Sequence, residues 1–325
     1  MKRVCQWMMV MLAFFSLAAC HKKEAEPTSG LKIVTSFYPI YAMTKAVSGD
    51  LNDVKMIQSS RGIHSFEPSA SDIQAIYDAD IFVYHSHVLE AWAGRLQPSG
   101  EDSVVQIVEA SKGLPLQRVE GLEDIEVAEG VDDATLYDPH TWLDPVLVGE
   151  ETRLIAEQLS EIDPEHKAIY QKNAEKMVEE MQQLTDKYAA IFKKCKDTTF
   201  VTQHTAFAYT ASRFGLKQLG ISGVSEQEPS PRQLAEIKEF IEEYQVKTIF
   251  VEKGTSDKLA KSLATSTGVQ VKVLEPLEAD PANGKSLVQN LDDNLSVLAK
   301  DLVARKNKNR GIAPTRDKSV ANVYI

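Results

Sequence analysis

The sequence predicts an α/β protein built as two βα lobes with mainly parallel sheets, joined by one long rigid α-helix. Three observations carry this reading. Short β-branched runs alternate with helical patterns from Leu31 to about residue 108, and the same alternation resumes from Thr198 to about residue 304. Between the two, one apolar stripe recurs at helical spacing without interruption.

In the first lobe the strands read as LKIVTSF (31–37), DVKMIQ (53–58), DIFVYHS (80–86) and SVVQIV (103–108), with helices at 39–49, 69–78 and 88–96. Asp163-Pro164 then reads as an N-cap followed by proline at the first helical position. Apolar residues follow at 169, 170, 174, 177, 178, 181, 184, 188, 191 and 192, with no glycine or proline through Cys195. A helix over 163–195 is roughly 45 Å long at 1.5 Å per residue, enough to run along both lobes. The second lobe offers strands TTFVTQ (198–203), LKQLGIS (216–222), KTIFVE (247–252) and VQVKVL (269–274). Its helices fall at 205–214, 230–243, 256–267 and 284–304, and Ser230-Pro231-Arg232-Gln233 is a capping box with proline at N1. The expected division is a first lobe at 31–162, a bridge at 163–195 and a second lobe at 196–304. The tail at 305–325 is basic, aperiodic and expected to be disordered.

The N-terminus has its own logic. Lys2 and Arg3 precede an apolar run, Met8 to Leu17, that is shorter than the ~20 residues of a membrane span and ends in Leu-Ala-Ala-Cys at 17–20. This is a secretory leader over 1–19 followed by a linker at 20–30. Leu-Ala-Ala-Cys resembles a bacterial lipobox, which implies cleavage before Cys20, diacylglycerol on its sulfur and an extracytoplasmic protein anchored to the cell membrane. The alternative is an ordinary leader with an incidental cysteine. Of three cysteines, Cys5 leaves with the leader and Cys20 takes the lipid, so Cys195 alone remains and no intramolecular disulfide is expected. The formal net charge of −11 becomes more negative when Lys2 and Arg3 leave. That opposes nucleic-acid binding and a polybasic membrane patch, and is compatible with a cationic ligand.

Seven histidines are the candidate ligands. His21 lies in the linker and His166 in the first turn of the bridge. His64 (GIHSFEPS), His140 (YDPHTWLDP) and His204 (TQHTAF) sit in polar, turn-rich segments at strand C-terminal ends, where ligands collect in open parallel sheets. Two belong to the first lobe and one to the second, the distribution needed for a metal site between lobes. Each alone reads equally well as a hydrogen-bonded structural histidine. A fourth ligand from the second lobe is available in EPLEADP, as Glu275, Glu278 or Asp280. Three imidazoles and one carboxylate suit Zn(II), whereas Mn(II) favours oxygen-richer shells. His85 and His87 alternate at period two, so one faces the cleft.

GIHSFEPS, YDPHTWLDP, TQHTAFAY and GVSEQEPSPRQL together resemble the zinc- and manganese-binding lipoproteins of bacterial metal ABC importers, the cluster A-I solute-binding proteins, and most of all their streptococcal laminin-binding members. The resemblance runs from the lipobox to about residue 304. It implies two lobes, a rigid helix and one Zn(II) ion carried as cargo on His64, His140, His204 and Glu278. It further implies delivery to an importer permease with its ATPase, occasional supply from histidine-rich surface proteins, and host laminin binding as an added role. Manganese-binding relatives place a carboxylate where this chain has His204. Some zinc relatives carry a histidine-rich loop where VEGLEDIEVAEGVDDATLYD (119–138) is acidic and histidine-free.

The expected activity is capture, not catalysis. A zinc hydrolase would need an open coordination position, which Glu278 closes. Trp142 and Phe66 are expected to exclude water from the shell. Asp138, Asp144 and Glu67 are neighbours in sequence that would orient imidazoles, the two aspartates reading equally as loop caps beside proline. His85 and His87 are expected on the cleft wall. Affinity should fall as pH drops through about 6.5.

Overall fold

The computed structural model describes residues 30–57, 62–96, 105–119, 136–195, 198–224, 226, 228–244, 246–253 and 256–306. The leader with Cys20, the rest of the linker, most of the acidic segment and the tail beyond 306 lie outside the described residues. In the first lobe β1 (Lys32–Thr35), β2 (Asp53–Met56), β3 (Ile81–Tyr84) and β4 (Gln106–Glu109) form a parallel sheet of order β2-β1-β3-β4. In the second, β5 (Thr199–His204), β6 (Lys217–Ser222), β7 (Thr248–Val251) and β8 (Gln270–Val273) repeat the arrangement as β6-β5-β7-β8. The inner strands IFVY and TIFV are buried at every residue, as strands covered on both faces must be. Edge strands DVKM and QVKV keep exposed residues.

Eight α-helices clothe these sheets among the described residues: α1 (Tyr38–Ser48), α2 (Ala70–Tyr77), α3 (Pro145–Ile162), α4 (Lys167–Phe192), α5 (Ala208–Phe214), α6 (Pro231–Glu243), α7 (Lys258–Thr267) and α8 (Leu287–Lys306). The expected Ser230–Gln233 capping box opens α6, with each side chain bonded to the other residue's backbone N–H. Two expectations need correction. Residues 88–96 do not form an α-helix; only Ala93–Arg95 make a 3-10 turn, because the Glu90 carboxylate folds back onto the His85 and Ser86 N–H groups. The bridge is α-helical from Lys167 to Phe192, about 39 Å, rather than from 163. Pro164–His166 form a 3-10 turn, and the Asp163 carboxylate accepts from the Tyr170 hydroxyl and His166 Nδ1 (both 2.7 Å) instead of capping the backbone.

The bridge is not a lone strut. Its long neighbour α3 packs along it, and α1 and α8 close the layer from the first and second lobes. Asn173 donates to the Val47 carbonyl (2.9 Å) at one end, and the Tyr188 hydroxyl to Asp292 (2.7 Å) at the other. One apolar core runs from Phe37 and Ile81 through Trp142, Tyr170 and Met181 to Phe200, Leu277 and Leu298. Separate smaller cores lie under the outer faces of each sheet. A shared core of this kind resists hinge opening, since separating the lobes would expose its apolar surface to water.

Candidate metal centre

Both sheets end at the same cleft. His204 is the last residue of β5, one of the two inner strands of the second sheet. His64 follows β2 in a turn anchored by buried Ile63, whose carbonyl accepts from the Phe66 N–H. His140 begins the 3-10 turn Thr141–Leu143, after which the Asp144 side chain caps α3. Glu278 follows β8, directly after Leu277, which holds a left-handed φ of 60° although it is not glycine and is buried. Such a conformation costs about 1–3 kcal/mol and persists only where packing enforces it.

These four side chains converge. His64 Nε2 lies 3.1 Å from His140 Nε2, and Glu278 Oε1 lies 3.3 Å from His64 Nε2, 3.5 Å from His140 Nε2 and 3.4 Å from His204 Nδ1. A tetrahedral ion with bonds of 2.0–2.1 Å spaces its ligands about 3.3 Å apart. Glu278 Oε1, at the hub of three imidazoles, is buried without a hydrogen-bond partner. A carboxylate oxygen so placed calls for a cation, a metal ion or, without one, a protonated imidazole beside it. The four residues form one of the groups whose donor atoms lie within 4.8 Å of one another.

Two of the three rings are oriented through the nitrogen that faces away from the cleft. His140 Nδ1–H donates to Asp138 Oδ1 (2.8 Å), which also accepts the His140 N–H (2.8 Å), so Nε2 keeps its lone pair for the cleft. His204 Nε2–H donates to the Val224 carbonyl (3.0 Å), and Nδ1 stands between Glu252 Oε1 (3.1 Å) and Glu278 Oε1 (3.4 Å). Burial alone would lower the His140 pKa, but the Asp138 charge and hydrogen bond lift it above the ordinary value. Burial likewise opposes protonation of His204, yet the Glu252 hydrogen bond and the charges of Glu278 and Glu252 bring it to about 9. Burial would raise Glu278, and contact with His140 and His64 together with the charges of His64 and His204 hold it well below the usual carboxylate range.

A family model described as zinc-uptake complex component A, periplasmic, matches residues 33–301. The chain belongs to this family. The high-affinity zinc uptake system protein ZnuA of Bacillus subtilis (strain 168) is 36% identical over 310 residues, covering 90% of this chain and 95% of that protein. The zinc-binding lipoprotein AdcA of Streptococcus pneumoniae (strain R6) is 35% identical over 308 residues; the alignment covers 92% of this chain but 60% of AdcA. Among solved structures, a Zn(II)-bound variant of S. pneumoniae AdcAII is 61% identical with a TM-score of 0.80, over 85% of this chain and all of that one. The laminin-binding protein Lmb of Streptococcus agalactiae is 58% identical with a TM-score of 0.78, over 84% of this chain and all of that one.

In this component A chain the remaining candidates separate cleanly. Asp138 orients an imidazole, whereas Asp144 accepts from the Val146 N–H (3.0 Å) and pairs with Arg213 of the second lobe (2.8 Å). Glu67 is exposed and Phe66 rests edge-on against Trp92 (6.0 Å), so the structure brings neither onto an imidazole. His87 points outward, 61% exposed, and pairs with Glu109. His85 is fully buried behind the His140 loop, where Nε2–H donates to the Pro139 carbonyl (2.8 Å). Trp142 is fully buried against His140, His85 and Phe37, and its Nε1–H donates to the Pro276 carbonyl (2.8 Å). It ties the two ligand loops together rather than covering the site from outside. The sequence reading missed Glu252 and Glu226, which stand beside His204, and buried Glu151, which accepts from the Thr141 hydroxyl behind the His140 loop; Glu252 carried a signal, since it closes the strand KTIFVE at the same sheet edge as His204.

Gly62 gives the motif GIHSFEP a local reason for its glycine. A Cβ there would stand 3.0 Å from Glu278 Oε2, tighter than ordinary contact allows. Gly62 itself is exposed, so Gly62→Ala should fold normally while pushing the carboxylate off its position. Affinity for a divalent ion is expected to fall about tenfold with little change in thermal stability; chelator competition and melting curves measure the two separately.

Proposed function

We propose that the chain is an extracytoplasmic lipoprotein that captures one Zn(II) ion between its lobes and delivers it to an ABC importer permease with its ATPase. The observation that carries this is Glu278 Oε1, buried and partnerless at tetrahedral spacing from three imidazoles. Three nitrogens and one oxygen suit Zn(II), and the family and the zinc-binding relatives support the same ion. With Glu278 as the fourth donor, no position is left for the activated water of a hydrolase, which favours capture over catalysis. The shared core favours a preformed cage opened by local loop movement. No helix among the described residues is long and apolar enough to cross a membrane; attachment through lipidated Cys20 rests on the lipobox and on the lipoprotein character of AdcA. Division into 31–162, 163–195 and 196–304 rests on the α3–α4 layer between the sheets.

His204→Ala tests the assignment. Titration calorimetry with metal counting is expected to show loss of tight zinc binding, and unchanged stoichiometry and affinity would sink it. A second reading, adhesion to laminin, rests on the likeness to Lmb. Binding of the soluble domain to laminin that survives removal of zinc would establish adhesion as separate from capture.

The pH dependence follows from the cited shifts. A metal needs the imidazole lone pair, and with a metal-free pKa of about 9 His204 is protonated at neutral pH. Binding at pH 7.5 should therefore expel a proton, and affinity should decline as pH falls below about 9, a higher window than free histidine gives. The metal-free fold carries the opposite sign. Its raised His204 contributes stability in full below about 6.5, lost as pH rises through about 9. Calorimetry in buffers of different ionisation enthalpy reads the proton directly; zinc affinity flat from pH 7 to 9 would contradict this.

A further inference from the structure

A second group of donors adjoins the cage and shares one of its ligands. His204, Glu226 and Glu252 bring one donor atom each within 4.8 Å of one another. Glu252 Oε1 lies 3.1 Å from His204 Nδ1, on the same nitrogen that faces Glu278 Oε1 at 3.4 Å. Both separations match the roughly 3.3 Å ligand spacing of a tetrahedral ion. The two carboxylates differ in access: Glu252 is buried, whereas Glu226 is exposed and sits in the left-handed region at φ 59°. A non-glycine residue held there is a strained conformation kept by its surroundings. Three carboxylates, exposed Glu226 and buried Glu252 and Glu278, thus gather around the His204 imidazole, Glu278 carrying the partnerless Oε1.

We propose that His204, Glu226 and Glu252 form an outer cation position that a divalent ion occupies on its way into and out of the inner cage. The inference rests on the capture reading. An ion bound there keeps water in its remaining positions, as an incompletely dehydrated cation must. Because His204 Nδ1 serves both positions, they are occupied in turn, and the protein still holds one ion at equilibrium. Transfer inward exchanges Glu252 and Glu226 for Glu278, His64 and His140 while the His204 contact is kept. The exchange avoids releasing the ion to bulk water between steps.

Two measurements test it. Glu226→Gln changes an exposed residue outside the inner cage. Stopped-flow mixing with zinc and with a chromophoric chelator is expected to show both uptake and release slowed by about tenfold, with Kd within about twofold. Unchanged rates would overturn the proposal, as would a release rate that rises. The second measurement uses Co(II) absorption on the full chain. His64→Ala/His140→Ala is expected to bind one Co(II) weakly with the low-intensity bands of an oxygen-rich, water-bearing site, and adding Glu226→Gln/Glu252→Gln abolishes them. No Co(II) bands in the double variant, or bands indifferent to the two glutamate changes, would overturn it. Wild-type protein that bound no zinc would instead sink the capture reading, so the two failures are distinguishable.

Discussion

Replacing His140 with alanine is expected to weaken zinc binding by about two to three orders of magnitude. Four-ligand zinc sites contribute about 10–16 kcal/mol in total, so one ligand carries roughly 3 kcal/mol, or about a hundredfold or more. Removing His140 also strips Asp138, 1% exposed, of its imidazole partner while leaving its charge buried. The comparison that separates ligand from supporting group is Asp138→Asn. Asparagine keeps an acceptor for Nδ1–H but loses the charge that makes Nε2 basic, so about a tenfold loss is expected there. Chelator competition reads both variants. His140→Ala retaining affinity within about threefold of wild type would remove it from the shell, whatever Asp138→Asn does.

The sheet plan was readable because each inner strand is a short β-branched run and every crossover but β3–β4 carries an α-helix, in both lobes. Two of the converging donors were readable for the same reason, since His204 closes β5 and His64 follows β2; His140 instead opens the 3-10 turn before α3, far past the end of β4 at Glu109, so the expected strand end does not place it. Glu278 could not be chosen from EPLEADP by residue type. What selects it is the positive φ at Leu277 and the tether of Pro276 to Trp142, both tertiary. Helix α3 escaped notice although Asp144-Pro145 is the same cap-then-proline signal read at Asp163-Pro164. There the signals misled in opposite directions: Asp144 does cap its helix, whereas Asp163 spends its carboxylate on Tyr170 and His166. Phe66 and Glu67 were tied to the site by sequence adjacency, but the turn after Ile63 sends them away from the imidazole next to them.

Trp142→Ala is expected to lower stability by about 3–5 kcal/mol, the cost of deleting a fully buried indole. At about 2–4 °C per kcal/mol for a large domain, the melting temperature should drop by roughly 10 °C. Trp142→Phe separates the two jobs of this side chain. Phenylalanine retains most of the packing on Phe37 and His85, so the loss should be only the about 1–3 kcal/mol of an unsatisfied Pro276 carbonyl. Zinc affinity, however, should still fall about tenfold, because the lost hydrogen bond holds the backbone two residues before Glu278. Were Trp142 merely filler, the phenylalanine variant would bind zinc as wild type does. Were it merely a tether, the alanine variant would melt no lower than the phenylalanine one. A divergence between the two readouts, stability following ring volume and affinity following the indole N–H, is what a side chain coupling the core to the cage must give.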